Sequence, residues 1–149
     1  MVVHVALRSK ATGKYLRLDG VNFTQPKDGG GGTVTPLDYR ATQETFRLVE
    51  NADGTVSFKS IVFSNIFLRM DGSAVTAGQN LAGGGGVVNA QFGAGPYEKF
   101  KIVKTNDTTA FAAIESANFP GRFMRMDATK VNVQGVREEW EILVVEVLA

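Results

Sequence analysis

Three stretches of this chain are variants of one another, and a chain that repeats itself threefold has to fold three like units around one centre. The first reads HVALRSKATGKYLRLDG from His4, the second TVSFKSIVFSNIFLRMDG from Thr55 and the third AFAAIESANFPGRFMRMDA from Ala110. Each leads to a shared closing phrase: QETFRLVEN from Gln43, YEKFKIVKT from Tyr97 and REEWEILVV from Arg137. The units run over about 1–52, 53–106 and 107–149, which places all 149 residues in a single domain. Between the two phrases, units one and two carry glycine runs, Gly29–Gly32 and Gly83–Gly86. Unit three lacks that stretch and passes from Lys130 directly through VNVQG.

Within a unit the apolar residues recur every second position, as Leu16 and Leu18 do against Arg17 and Asp19. That is the period of half-buried strands, and TG, DG, SN, PG and ND supply the turns between them. The first unit is expected to form strands at about 3–9, 14–19, 33–38 and 44–49, and no stretch has helical periodicity. Three units of four strands predict an all-β chain, a β-trefoil of twelve strands in three pseudo-symmetric repeats. Such a barrel closes its sheet and removes exposed edges, whereas a β-sandwich gives no reason for a threefold repeat. Leu16, Leu68 and Met124 are expected in one core layer, with Phe46, Phe100 and Trp140 in another. The C-terminal strand EILVVEVLA is expected either to complete the barrel against VVHVAL or to form a homodimer contact.

Composition removes whole classes of function. With no cysteine there is no disulfide, thiolate metal site or cysteine nucleophile, and His4 is the one histidine. No cofactor and no metal are expected. A formal net charge of +1 supplies no field for a nucleic-acid backbone. The N-terminal MVVHVALRSK is too short an apolar stretch for a signal peptide, and no window approaches the ~18 to 20 apolar residues of a membrane span. The chain is therefore expected in the cytoplasm without membrane insertion, or outside the cell by unconventional export.

GKYLRLDG, the glycine run followed by Val87–Ala90, and GPYEKFKIV at Gly95–Val103 together resemble the fascin-like β-trefoil domain. The segment ESANFPGRFMRMD from Glu115 is similar to the arabinose-binding trefoil modules attached to arabinofuranosidases, which carry histidine and acid residues where this chain has Met126 and Asp127. The triplets Glu44-Thr45-Phe46, Glu98-Lys99-Phe100 and Glu138-Glu139-Trp140 occupy the place of the Gln-x-Trp signature of ricin-type lectins, which is itself absent. The fascin-like resemblance implies either actin binding or sugar binding. Fold alone does not choose between them.

Arg-x-Asp occurs in every unit: Arg17 with Asp19, Arg69 with Asp71, Arg125 with Asp127. Period two puts both members of a pair on one face. A guanidinium beside a carboxylate suits sugar hydroxyls, because the fork donates and the carboxylate accepts. Equally, the aspartate can cap the following turn, and threefold recurrence favours that structural role. The glycine runs have no Lys-Ser/Thr after them, so they are expected as hairpin tips rather than phosphate loops, with Asn80 and Asn89 beside a ligand rim. Aromatic residues in polar turns offer flat faces to sugar C–H groups. Tyr39, and Phe119 beside Asn118, are the ones expected at the surface, whereas Phe23, Phe63, Phe92 and Tyr97 can equally plug the barrel ends.

No catalytic constellation emerges. Ser9, Ser60 and Ser116 recur at equivalent strand ends, which points to backbone hydrogen bonding rather than nucleophilic chemistry. His4 is expected to face solvent, and Glu138 and Glu139, neighbours in a strand, are expected to point to opposite faces. The reading that results is a small lectin without enzymatic activity, with up to three shallow sites for glycans or glycoproteins drawn from Arg17, Asp19, Tyr39, Arg69, Asp71, Asn89, Asn118, Phe119, Arg125 and Asp127. A fascin-like actin-binding module is the alternative, and a protease inhibitor a third. Units one and two each carry a net charge of +2 and unit three −3, so attachment to acidic filaments would be local.

Overall fold

The computed structural model describes residues 2–105 and 111–148. Its strands are β1 (Val3–Ser9), β2 (Tyr15–Asp19), β3 (Thr33–Leu37), β4 (Phe46–Glu50), β5 (Val56–Ser60), β6 (Ile66–Asp71), β7 (Val87–Phe92), β8 (Phe100–Lys104), β9 (Phe111–Ser116), β10 (Phe123–Met126), β11 (Val131–Gln134) and β12 (Leu143–Leu148). Single 3-10 turns at Thr42–Glu44 and Pro96–Glu98 precede β4 and β8. Six strands pair in a ring, β1–β4–β5–β8–β9–β12 and back to β1. The other six form three hairpins, β2–β3, β6–β7 and β10–β11. This is the β-trefoil, one ring pair of strands and one hairpin for each repeat. β12 closes the ring against β1 in antiparallel register from His4↔Leu148 to Ser9↔Leu143, so the C-terminal strand completes the barrel.

Leu16, Leu68 and Met124 are fully buried, as expected of one layer. Below them Phe58 meets Phe46 edge-on at 6.4 Å and Phe100 at 5.7 Å. The third member of that layer is Leu143, fully buried, and not Trp140, which is half-buried at the surface. The reason lies in the turn before each barrel strand. Glu44 accepts the N–H of Ala41 at 2.6 Å, Glu98 that of Gly95 at 2.7 Å and Glu141 that of Glu138 at 2.7 Å. The third closing phrase, Glu-Glu-Trp-Glu-Ile-Leu, contains two consecutive Glu-x-apolar triplets, and the structure uses Glu141-Ile142-Leu143. Glu138 and Glu139 consequently sit in a turn, both exposed, rather than on the two faces of a strand.

The glycine runs are not free hairpin tips. The loop between β2 and β3 crosses to the second lobe, where Gly31 and Ala90 exchange two N–H···O bonds of 2.9 Å. Asn89 donates to Gly29 O at 3.0 Å, while Gln91 donates to Lys27 O at 2.7 Å and accepts the Lys27 N–H at 3.1 Å. The loop between β6 and β7 repeats this on the third lobe: Gly85 with Val133, Asn132 with Gly83 O at 2.9 Å, and Gln134 with both N–H and O of Leu81 at 2.8 Å. The Asn-x-Gln of β7 and β11 is thus a clamp for the preceding lobe's loop. In β3 the equivalent residues are Thr35-Pro36-Leu37. Proline has no N–H to offer, and unit three has no loop to dock there.

Burial patterns follow from this docking. β6 and β10 are covered on both faces, so that even Arg69 and Arg125 are buried, whereas β2 alternates between half-buried and buried. Glycine is required where the loop passes over the arginine. At Gly30 (φ 73°) an added Cβ would lie 2.5 Å from Ala90 O and 2.8 Å from Arg69 Cδ, and at Gly84 (φ 73°) 2.5 Å from Asn132 Oδ1 and 2.7 Å from Arg125 Cδ. Gly29 shares the left-handed conformation (φ 79°) but has open space around it. Gly29→Ala should therefore cost about 1 kcal/mol in backbone conformation alone. Gly30→Ala should cost about 1–3 kcal/mol more, from the clash. Urea denaturation of the two variants measures the difference.

Candidate functional site

In each lobe an arginine on the hairpin's first strand faces the glutamate of the turn that precedes a barrel strand. Arg17 Nε is 3.7 Å from Glu44 Oε2 and Arg125 Nε 4.0 Å from Glu141 Oε2. The aspartate two residues on completes the pair, with Arg17–Asp19 at 3.5 Å, Arg69–Asp71 at 3.7 Å and Arg125–Asp127 at 2.7 Å. The same aspartates hold the next turn through Oδ1. Asp19 takes the N–H of Val21 at 3.0 Å and Asp71 that of Ser73 at 3.0 Å, while Asp127 takes those of Thr129 at 2.8 Å and Lys130 at 2.9 Å. The turn-capping role expected of Arg-x-Asp is therefore present in every lobe, and the same aspartate also pairs with its arginine.

The lobes then diverge. Asn89 and Asn132 accept from Arg69 at 3.2 Å and from Arg125 at 3.4 Å, and the first lobe has Thr35 at that register. An aromatic ring precedes the buried glutamate in two lobes: the Arg69 guanidinium is 5.0 Å from the Tyr97 centroid and that of Arg125 is 6.0 Å from Trp140, whereas the first lobe has Gln43. Tyr97 is also met edge-on by Phe119 at 5.2 Å. No other aromatic ring among the described residues contacts Trp140. It lines an open cleft of about 240 Å³ with Asn80, Gly83, Arg125, Gln134, Glu138 and Glu139. The Asn80 amide reaches Glu138 Oε2 at 3.5 Å across the rim.

Of the remaining surface candidates, Tyr39 is 65% exposed, while Phe119 is half-buried between Tyr97 and Arg122. Asn118 is exposed on a separate hollow with Asp53 and Lys99. Asn89 does not line a free rim, because its amide is committed to Gly29 and Arg69. Ser60 and Ser116 accept the N–H groups of Phe63 and Phe119 at 2.9 Å and Ser9 that of Thr12 at 3.2 Å, the backbone role their recurrence implied. His4 is exposed. Trp140, expected in the core, is the functional candidate that sequence reasoning missed. The signal that identifies it is the capping glutamate, since the side chain directly before that glutamate is half-buried in each lobe and in two lobes is a ring that borders the arginine.

Burial raises the Glu98 carboxyl, and the Gly95 N–H and the Arg69 charge offset this only in part. Glu141 is raised likewise by burial, helped by the charge of Glu138 and opposed by the Glu138 N–H and Arg125. Asp127 moves the other way: its burial is outweighed by the Thr129 N–H, Arg125 and the Lys130 N–H, and the carboxyl is held well below the ordinary range. Among the described residues no group of three or more His, Cys, Asp or Glu side chains is arranged to hold a metal ion, and no helix is long and apolar enough to cross a membrane.

No family model and no curated protein matches the chain. Solved structures do match. The designed threefold-symmetric protein ThreeFoil superposes with a TM-score of 0.74 at 14% identity, over 97% of this chain and 99% of that one. The Rhizoctonia solani agglutinin gives 0.69 at 14% identity, over 98% and 95%. SeviL, solved bound to the asialo-GM1 saccharide, gives 0.67 at 6% identity, over 97% of each chain. At such identities the likeness is one of fold, and the fold is the β-trefoil found in these lectin-like neighbours.

The opposed shifts make an acid-stability prediction. A depressed carboxyl stabilises above its unfolded value and loses that contribution as pH falls through its folded one. Raised carboxyls do the reverse, contributing at low pH and losing it as pH rises. Below about pH 4 the Asp127 loss should dominate, and Asp127→Asn, which keeps an acceptor for the turn, should flatten that limb. Urea midpoints from pH 2 to 7 measure it.

Proposed function

We propose that this protein binds glycans without catalysing their turnover, and that the Trp140 cleft of the third lobe is its principal site. The observation that carries this reading is the meeting of an aromatic side chain with exposed carboxylates and an amide in an open cleft of about 240 Å³. A sugar ring sets its C–H face on the indole, its hydroxyls donate to Glu138 and Glu139, and a ring or hydroxyl oxygen accepts from Asn80. The pair of adjacent acids and a unit charge of −3 disfavour anionic ligands, so a neutral saccharide is the expected class. β-Trefoil neighbours that include an agglutinin and a protein bound to a saccharide support the same class. Such a shallow, polar site suits affinities near millimolar, about −4 kcal/mol, so useful binding calls for glycoproteins or surfaces that display many copies.

Trp140 is the one tryptophan in the chain, so its fluorescence reports on this cleft alone. Titration with a panel of neutral mono- and oligosaccharides should change its emission saturably for at least one of them. Glu138→Ala should weaken that ligand about tenfold, or about 1.4 kcal/mol. A glycan array with no bound sugar, together with an unresponsive Trp140 at tens of millimolar ligand, would sink the proposal.

A further inference from the structure

Three lobes carry the same Arg–Asp–Glu cluster, yet only two of them cover it. In the second and third lobes the glycine loop of the preceding lobe lies over the arginine stem, and the side chains of Arg69 and Arg125 are 7% and 6% exposed. In the first lobe no loop arrives, and Arg17 is 27% exposed. Its donors are also under-used. Among the described residues its one hydrogen bond is the 3.5 Å contact to Asp19, where Arg125 holds Asp127 at 2.7 Å. The residues around it have changed to match. Thr35 replaces the asparagine that would accept from the guanidinium, and Thr33 lies opposite Asp19 on the same hairpin face, both exposed. Pro36 takes away the N–H that receives a docking loop.

We infer that the open Arg17–Asp19 pair, backed by the buried Glu44 and with Thr33 and Thr35 beside it, is a second ligand site of a different kind, taking the vicinal hydroxyls of a neutral polyol. The inference rests on the glycan-binding reading and adds a place and a chemistry to it. Two carboxylates around one guanidinium carry a net charge of −1 and repel an anion, while a neutral polyol uses both the donors and the acceptors of the cluster. A pair of hydroxyls can donate to Asp19 Oδ2, whose one partner among the described residues is the long Arg17 contact, and accept from guanidinium N–H groups that hold no shorter hydrogen bond among those residues. Gln43 stands where Tyr97 and Trp140 stand in the other lobes, so no ring supports the sugar. The site works by hydrogen bonds alone and is the weaker of the two. A monomer with two unlike sites links two glycan chains without dimerising.

The test separates the two readings. Methyl glycosides that change Trp140 emission are titrated into 15N-labelled protein, following the Arg17 side-chain Nε and the Thr33 and Thr35 amides, with inorganic phosphate as the anionic control. Movement of these resonances with sugar and not with phosphate is expected, at a midpoint several-fold above that of Trp140. Thr35→Tyr, an exposed substitution that fills the cluster, should abolish that movement and the cross-linking of glycan-coated beads while leaving the Trp140 response within twofold. A responsive Trp140 with a silent Arg17 overturns this inference and leaves the glycan-binding proposal intact. Movement with phosphate alone overturns the neutral-polyol assignment. Silence at both sites overturns both proposals.

Discussion

An arginine facing a buried glutamate is the contact around which each lobe is organised, and in the second and third lobes the arginine is buried as well. A guanidinium cannot shed its charge, so its burial has to be matched by acceptors from several elements at once. In the third lobe these come from Asp127 on its own hairpin, from Asn132 across the hairpin and from Glu141 in the turn before β12. The glutamate is simultaneously fixed by the N–H three residues before it. Such buried charge contributes little net stability once desolvation is counted, but a misplaced partner would leave a charge uncompensated. Its effect is on register. Glu141, and not Glu138, can take the turn N–H and meet Arg125 together, which places Leu143 in the core and Trp140 outside it.

Covering that arginine creates the need for glycine. A loop can lie against the guanidinium stem only where it has no side chain, and its carbonyls have to find donors once they leave water. Asn89 and Asn132 satisfy both demands, since each accepts from the arginine and donates to the loop. The arrangement changes as a unit in the first lobe: asparagine, N–H donor and glutamine are all absent from Thr35-Pro36-Leu37, and the loop that would need them is absent from unit three. Half a clamp would strand polar groups beneath a loop, so either the whole set or none of it is tolerable.

What was legible in the sequence was whatever repeats at short range. Alternation of Leu16 and Leu18 with Arg17 and Asp19, recurrence of serine at strand ends, and the three closing phrases together specify twelve strands and a barrel. Contacts between units were not legible, because Asn89 and Gly29 are 60 residues apart and nothing local distinguishes a clamped glycine loop from a free hairpin tip. The third closing phrase misled for a physical reason: glutamates at 138 and 141 are both followed two residues later by a large apolar side chain, and only the hydrogen bond from the turn decides between them. Phe119 was misplaced similarly. Its turn is polar in sequence, but Tyr97 from the preceding repeat covers its ring.

The fold leaves one position free in every lobe, directly before the buried glutamate. Gln43, Tyr97 and Trp140 occupy it, half-buried each time, and the two rings lie against the arginine without being needed to neutralise it. Charge matching constrains the arginine, the glutamate and the aspartate, and core packing constrains the strand that follows. Neither constraint reaches this side chain, so it can differ while the trefoil stays the same. In the second lobe the ring is spent on packing against Phe119. In the third it is left facing a cleft with Glu138 and Glu139 at its rim. In the first the ring is absent and the charged cluster itself meets solvent. Three copies of one scaffold therefore present three chemically different surfaces, and a ligand that reads hydroxyls and a ring face will distinguish among them even though the backbone beneath is the same.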